Sequence, residues 1–583
     1  MTVDAVQDGQ ARLTLSGMLD LARPAVLQQC RALAQPYPRF CLFFAFTDGN
    51  QRAGVVHVTG GEFDAVWRQG ADLIRGLTGE AGGQAAGWLR VDWVDSVEAT
   101  HWARLQSALG DTKRNYFRYG IAFDPDFRHA LTEQELNANA VLYAGSTVTN
   151  ARFNPDNLAI YGRLRFGAEP ALPADDAEVL VFSTSAIFCD GEELHALHSR
   201  GLETGRRVVG ALDAPIVKGM IRSGSDFLAR QVGGDGRFVY GYHPCFDRQI
   251  AAYNTLRHAS TTYSMVEAFE VTRDPGLKVA IERSLSHLTG QMIRSVTLDD
   301  GREGAFLVDT GGEIKLGGNA VAILALVKHC EVTGDRRHWQ LMEKLAIGIS
   351  AMQDTASGGF VHVLDFPGLK VKQAFRTIYY DGEAAFGLMR LYGLTRDPRW
   401  LAIVERAFDY FIREEHWRHH DHWLGYCVNE LTRYRPEERY FRFGLQNVAG
   451  YLDFLTERIT TFPTLLEIMM AARDMLVRMR AMPDLHHLFG SIDLEKFERA
   501  LEARARHLLN GFFWPEMAMF FGNPARIAGS FFIRHQAFRV RIDDVEHYLS
   551  GYVAYLRHLA SSEEFHDLVV AHGRARISAG QGV

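Results

Sequence analysis

The sequence predicts an α+β N-terminal domain over residues 1–205, a mainly α domain of six helical hairpins over 213–560, and a flexible tail over 561–583. Three observations carry this prediction. The length of 583 residues exceeds the roughly 250–300 that one hydrophobic core organises. Up to about residue 205, short alternating or apolar runs mix with helical stretches, and from about 213 long amphipathic segments take over. In the second half, three segments about 60 residues apart end alike: Val271-Thr272-Arg273-Asp274-Pro275, Val332-Thr333-Gly334-Asp335-Arg336 and Leu394-Thr395-Arg396-Asp397-Pro398.

In the first half, Phe40 to Phe46, the turn residues Thr47-Asp48-Gly49-Asn50, and Ala53 to Val58 read as a hairpin. A helix is expected from Glu62 to Leu77, with strands through Trp88 to Val94 and Tyr116 to Phe123. Thr132-Glu133-Gln134-Glu135 has the spacing of a capping box and opens a further helix. Val179 to Phe188 and Glu193 to Leu197 are expected to pair around a turn at Cys189-Asp190-Gly191.

In each repeat of the second half an apolar helix stops and an Asp is expected to cap the next helix. At 275 and 398 a Pro occupies the first turn, where its missing N–H is harmless. Amphipathic segments follow at Gly276 to Met292, His338 to Met352 and Arg399 to Ile412. The helices before the turns carry Gly318, Ala322, Ala384 and Ala385 and are apolar nearly all round, so they lie inside and the amphipathic ones outside. Further inner helices are expected near Arg257, Asp421, Thr461 and Asp543, and outer ones at 215–231, 437–453 and 492–510.

This pattern of six inner and six outer helices resembles the (α/α)6 toroid superfamily. The superfamily includes N-acylglucosamine 2-epimerases, glucuronyl C5-epimerases, many glycoside hydrolases and uronate-acting hydrolases and lyases. The resemblance implies a carbohydrate-active enzyme whose site lies where inner-helix ends line a central cavity. The toroids of lanthionine cyclases and prenyltransferase subunits bind zinc through motifs such as Cys-His-Gly, which this chain lacks. Fold alone does not fix function, so the residues must carry it.

Composition narrows the classes further. Hydrophobic residues make up 47% and charged residues 23%, an ordinary globular balance, and the formal net charge of -7 argues against a nucleic-acid partner. Of the 63 basic residues nine are lysine and 54 arginine, a bias that fits either base composition or recognition of carboxylates and phosphates. Met1 to Asp8 has no signal-peptide pattern, and no apolar run reaches the roughly 18 residues of a membrane span. Six scattered cysteines without a CxxC pair suit reduced thiols, so a cytoplasmic protein is expected.

The inner-helix starts are polar and aromatic, and in a toroid they converge on one rim. A hydrolase would use a proton donor and a second carboxylate, for which Asp381, Glu383, Asp543 and Asp544 are candidates. An epimerase or lyase would use an acid and a base, for which His258, His547, Tyr263 and Tyr380 are candidates. Arg257, Lys315 and Arg541 would then neutralise an anionic, uronate-type sugar. Tyr253, Asn254, Glu313, Asn319, Asp421, His422, Trp423 and Arg458 complete the expected substrate-binding set. Each residue also has a structural explanation: the Asp residues as N-caps, the cations as partners of buried carboxylates, the aromatics as packing.

His419-His420-Asp421-His422 invites a metal reading, with His420 and His422 ligating together or with His547, but positions two apart on a helix face different ways and no His-Glu-x-x-His accompanies them, so no metal is expected, and no other cofactor is implied. The Gly-Gly pairs, including Gly82-Gly83, lack dinucleotide or P-loop spacing and read as turns and close contacts. Two other classes stay open. One is a non-catalytic binding protein for an anionic glycan or an envelope-biosynthesis partner. The other is a toroid enzyme acting on a peptide or isoprenoid.

Overall fold

The computed structural model describes residues 12–78 and 86–580, so Met1 to Asp8 and Gly82-Gly83 lie outside the described residues. The chain divides into two units. The first holds residues up to Ala211 together with Tyr242–Gln249 and Asn510–Val540, and the second holds Leu212–Gly241, Ile250–Leu509 and Arg541 onward.

The first unit opens with α1 (Leu15–Gln29), capped by the Thr14 side chain, which accepts from Gly17 N. Strands β1 (Phe40–Thr47) and β2 (Gly54–Gly60) form the expected hairpin, with Phe40 opposite Gly60. There follow α2 (Phe63–Leu77), β3 (Trp88–His101), α3 (Trp102–Asp111), β4 (Gly120–Ala122), β5 (Ala130–Leu131), α4 (Glu133–Ala138) and α5 (Pro155–Phe166). Strands β6 (Glu178–Cys189) and β7 (Leu194–Ala196) close the sequence.

These strands make one antiparallel sheet in the order β2-β1-β3-β6-β4-β5, with β7 added to β6. The run Phe40 to Phe46 does not alternate because β1 lies inside the sheet and is buried almost throughout. Leu15, Met18 and Leu19 of α1 and Trp67 and Ile74 of α2 share a core with Leu42, Phe44, Val91 and Trp93. A Cβ at residue 70 would lie 2.1 Å from the Phe44 ring, so Gly70 is what lets α2 reach the sheet. The capping box at Thr132 and Glu135 forms as its spacing predicts.

The second unit is helical. Its helices are α6 (Ala214–Gln231), α7 (Thr255–Thr272), α8 (Pro275–His287), α9 (Leu316–Thr333), α10 (Trp339–Ala351), α11 (Tyr379–Thr395) and α12 (Pro398–Arg413). They continue with α13 (His422–Leu431), α14 (Glu438–Ala449), α15 (Leu452–Glu457), α16 (Thr464–Arg480) and α17 (Leu494–His507). After α18 (Pro515–Ala518) and α19 (Pro524–Ile527), which belong to the first unit, come α20 (Ile542–Leu559) and α21 (Ser562–Gly580).

Helices α7, α9, α11, α13, α16 and α20 pack each against the next, and α20 packs back against α7. Helices α6, α8, α10, α12, α14 and α17 cover them, each packed on one or two of these six. Every residue of α9 from Leu316 to Cys330 is buried, as an apolar inner helix requires, and Ala322, Ala384 and Ala385 are fully buried.

Two expectations need correction here. Asp274 and Asp397 cap α8 and α12 through Leu277 N and Arg399 N, but Asp335 only closes a turn onto Arg337 N, and His338 stands at the N-cap of α10. Without a Pro at 336, the chain takes extra turn residues before the helix begins. Most of the expected tail is helix: α21 packs on α16 and α17, with Phe565 buried against Phe497. All six cysteines are buried and unpaired. Among the described residues no helix is long and apolar enough to cross a membrane.

Candidate functional site

Side chains at the starts of five helices, α7, α11, α13, α16 and α20, meet. Arg257 Nε of α7 lies 2.8 Å from Asp543 Oδ2 of α20. Arg541 donates from Nη2 to Asp543 Oδ2 at 2.7 Å and lies 3.5 Å from Asp544 Oδ1. Asp543 is largely desolvated, yet these two guanidinium groups hold its carboxyl below its ordinary range. The two cations expected to meet an acidic sugar are thus already opposed by carboxylates.

Beside this network stands a cluster of imidazoles and carboxylates. His547 donates from Nδ1 to Glu467 Oε2 at 2.9 Å, and its ring makes an edge contact with His422 at 5.3 Å between centroids. Burial opposes charge on His547, but Glu546, Glu467 and Asp543 outweigh it and raise the imidazole to about 10. Glu546 is pushed up to about 7 by burial and accepts from Ser260 Oγ at 2.7 Å. Burial works against Glu467 as well, but His547, His422 and the Tyr426 hydroxyl keep its carboxyl below the usual range.

His422 Nδ1 is 3.3 Å from Asp421 Oδ1, while its buried Nε2 has no hydrogen-bond partner among the described residues and stands 4.0 Å from Glu467 Oε2. Glu383 on α11 is similar: it is 5% exposed and its Oε2 has no partner among the described residues. Burial and the nearby Asp421 and Glu546 push its carboxyl well above the ordinary range, which favours the protonated form. The aromatic rings of Trp423, Phe386, Tyr426 and the half-exposed Tyr379 stand around this cluster. Asp421 also caps α13, accepting from Leu424 N at 2.9 Å.

Several sequence-predicted residues turn elsewhere. His258 faces the outer helix α8: it bonds Tyr253 Oη at 2.8 Å and Ser284 O at 3.0 Å, and burial lowers it to about 3. Asp381 pairs with His362 Nε2 at 3.3 Å. Asn319 is spent on Leu307 N and Ala305 O, and Asn254 caps α7. Lys315 is bound to Asp309, and Glu313 to Arg376 and Lys372, which hold Glu313 near 2 against a small cost of burial.

Arg458 bonds Thr460 and covers the Phe454 and Phe462 rings. Tyr380 lies against His362, and burial together with Glu383 raises its hydroxyl to about 12. Tyr263 lies one turn deeper along α7, donating to Glu267 Oε1 at 3.0 Å. Helix geometry explains the division, since successive residues point about 100° apart and a whole string cannot face one cavity.

Glu467 and Glu546 were missed. Glu467 interrupts the apolar run Leu465-Leu466-Glu467-Ile468-Met469-Met470, and a lone carboxylate in an inner helix was the available signal. His422 Nε2, Glu467 and His547 also bring three donor atoms within 4.8 Å of one another. That separation is small enough for a divalent cation, although no metal was expected, and a cation there would displace the His547 to Glu467 hydrogen bond.

No family model matches the chain, and no curated protein matches its sequence. Solved structures do match it. It is similar to cellobiose 2-epimerase from Bacillus thermoamylovorans B4167 at 10% identity and TM-score 0.46, over 59% of this chain and 99% of that one. It is similar to a D-mannose isomerase at 10% identity and TM-score 0.45, over 60% and 100% of the two chains. A third match, an unsaturated glucuronyl hydrolase specific for heparin, has 10% identity and TM-score 0.41 over 60% and 98%. Epimerases and uronate-acting hydrolases are among the members of the superfamily that the helical repeat resembles.

Proposed function

We propose that the helical unit is a six-hairpin (α/α)6 toroid and that its inner-helix starts form the active site of a sugar isomerase or epimerase. The observation that carries this reading is the pair His422 and His547, one with a free buried Nε2 and the other held as an imidazolium by Glu467. Asp421 beside Nδ1 of His422 favours the tautomer whose Nε2 lone pair is free to take a proton. His547 carries a proton it can give. The pair is therefore a base and an acid placed side by side.

Such a pair suits removal of the proton next to a sugar carbonyl. His422 takes the proton from C2 while His547 protonates the carbonyl oxygen O1; His422 then returns a proton to C1 as the neutral His547 takes the one on O2, giving the ketose, or to C2 as His547 retakes the one on O1. The rings are in edge contact at 5.3 Å, too near to hold a sugar carbon between them, so both reach one face of the substrate. One-face transfer favours aldose–ketose isomerisation over inversion at C2, which needs proton transfer on both faces. In its protonated form, which burial favours, Glu383 donates a hydrogen bond to a substrate hydroxyl. With Arg257 and Arg541 matched by Asp543 and Asp544, a neutral sugar fits better than a uronate.

The raised carboxyl of Glu383 supports a second reading, glycoside hydrolysis with Glu383 as general acid. One experiment separates the two. A panel of neutral aldoses and short glycans is incubated with the protein in D2O and followed by NMR. Isomerisation turns the aldose into a ketose of unchanged chain length, with the C2 proton lost and solvent deuterium entering at C1, whereas hydrolysis releases new reducing ends. His422→Gln and His547→Gln are each expected to lower turnover by about 10² to 10⁴-fold at an unchanged unfolding midpoint. Full activity in either variant, or new reducing ends without exchange, overturns the isomerase reading.

A further inference from the structure

The first unit contains a cavity of about 660 Å³ that has no part in the chemistry above. This volume lies within the range of small-molecule sites. Its wall is largely apolar, with Val55 and Ile74 inside and Leu73, Leu77 and Leu164 at the mouth, 45%, 58% and 73% exposed. Large aliphatic side chains gathered and left open to water mark a place where an apolar group settles.

The polar part of the lining is cationic. Arg52 donates to Asn139 Oδ1 and to Cys245 O, its buried Nε has no partner, and among the described residues it pairs with no carboxylate. Arg165, 6% exposed at its side chain, is matched by Glu135 at 2.7 Å, and Tyr161 donates to the same carboxylate at 2.8 Å. His57 adds no charge: burial and then Arg165 push it down to about 4. It accepts from Arg165 Nη2 at 3.0 Å and donates to Phe127 O at 2.6 Å. Asp48 at the rim is exposed and turned to Asn50. The lining and its partners thus hold two guanidinium groups against one buried carboxylate, and partly buried charge left unmatched calls for a counter-ion.

We infer that this cavity binds an amphiphile with a single anionic head, carboxylate or phosphate, set near Arg52, and an aliphatic tail laid along Ile74, Leu77 and Leu164. A sugar would leave the leucine wall unused, and a neutral lipid would leave Arg52 unmatched. The site stands apart from the proposed sugar chemistry and does not depend on it.

The test is calorimetric titration of the full chain with dodecanoate, dodecyl phosphate, dodecanol and dodecylammonium, each below its micelle concentration. One or both anions are expected to bind one to one and at least tenfold more tightly than the alcohol or the cation. The tighter anion identifies the headgroup. Arg52→Gln is expected to weaken anion binding about tenfold or more, the effect of losing a charge-assisted contact. If Arg52→Gln unfolds, the exposed Leu77→Asp decides: weakened binding at the wild-type unfolding midpoint supports the site, and unchanged binding overturns it. Absence of saturable anion binding, equal binding of the alcohol or the cation, or full anion affinity in a folded Arg52→Gln protein likewise overturns it.

Discussion

A Cβ added at Gly317 would lie 1.6 Å from Glu383 Oε2 and 2.8 Å from Tyr380 Cδ1. The unpaired carboxyl of the candidate site therefore occupies space that only glycine leaves on the neighbouring inner helix. Gly317→Ala is expected to cost about 1–3 kcal/mol, the usual scale of overpacking, and to displace Glu383. In a Glu383→Ala background most of that cost should vanish. The four proteins of this cycle, compared by thermal unfolding, check it, and equal costs in both backgrounds would show that the contact is absent. The sequence reading named Glu383, His422 and His547, because polar residues at inner-helix starts are conspicuous. It also named His258 and Asp381, which a list of adjacent residues cannot separate from their neighbours. Only the phase of each helix decides that Arg257 meets Asp543 while His258 meets Ser284.

The helical repeat was the most legible feature at the level of elements, because its turns are built alike. Arg273, Gly334 and Arg396 all end inner helices in the left-handed conformation, and Thr272, Thr333 and Thr395 each accept from the N–H of the following Asp. That shared turn chemistry is local, so it shows in the sequence. The role of α21 is not local. Its first residues, Ser562-Glu563-Glu564, are charged or polar, and only packing reveals that Phe565 is fully buried against Phe497, with Arg473 over its ring. Phe565→Ala is expected to destabilise the protein by about 3–5 kcal/mol, read as a fall in denaturant midpoint at unchanged slope. A change below about 1 kcal/mol would return this segment to the status of a loosely attached tail.

At the scale of the whole molecule, the change of periodicity at about residue 205 gives no sign that Asn510–Val540 groups with the N-terminal residues. That segment completes polar groups of the N-terminal half. Arg90 donates to Glu516 O at 3.1 Å, Arg207 Nη2 meets Glu516 Oε2 at 2.8 Å, and Arg114 and Asn115 donate to His535 O and Arg534 O. A fragment ending at residue 211 takes these acceptors away, Asn115 and Arg207 losing Arg534 O and the Glu516 carboxylate. It is expected to be digested by dilute protease under conditions that spare the full chain, and a protease-resistant fragment with a cooperative unfolding transition would contradict this. The same arrangement governs how the protein is made. Synthesis proceeds at about 5–20 residues per second, so the N-terminal unit waits some tens of seconds after its own sheet has emerged before its last segment leaves the ribosome. Through that interval Asn115 and Arg207 lack the acceptors that Arg534 and Glu516 supply, and a chaperone that binds nascent chains would meet the sheet in that unfinished form.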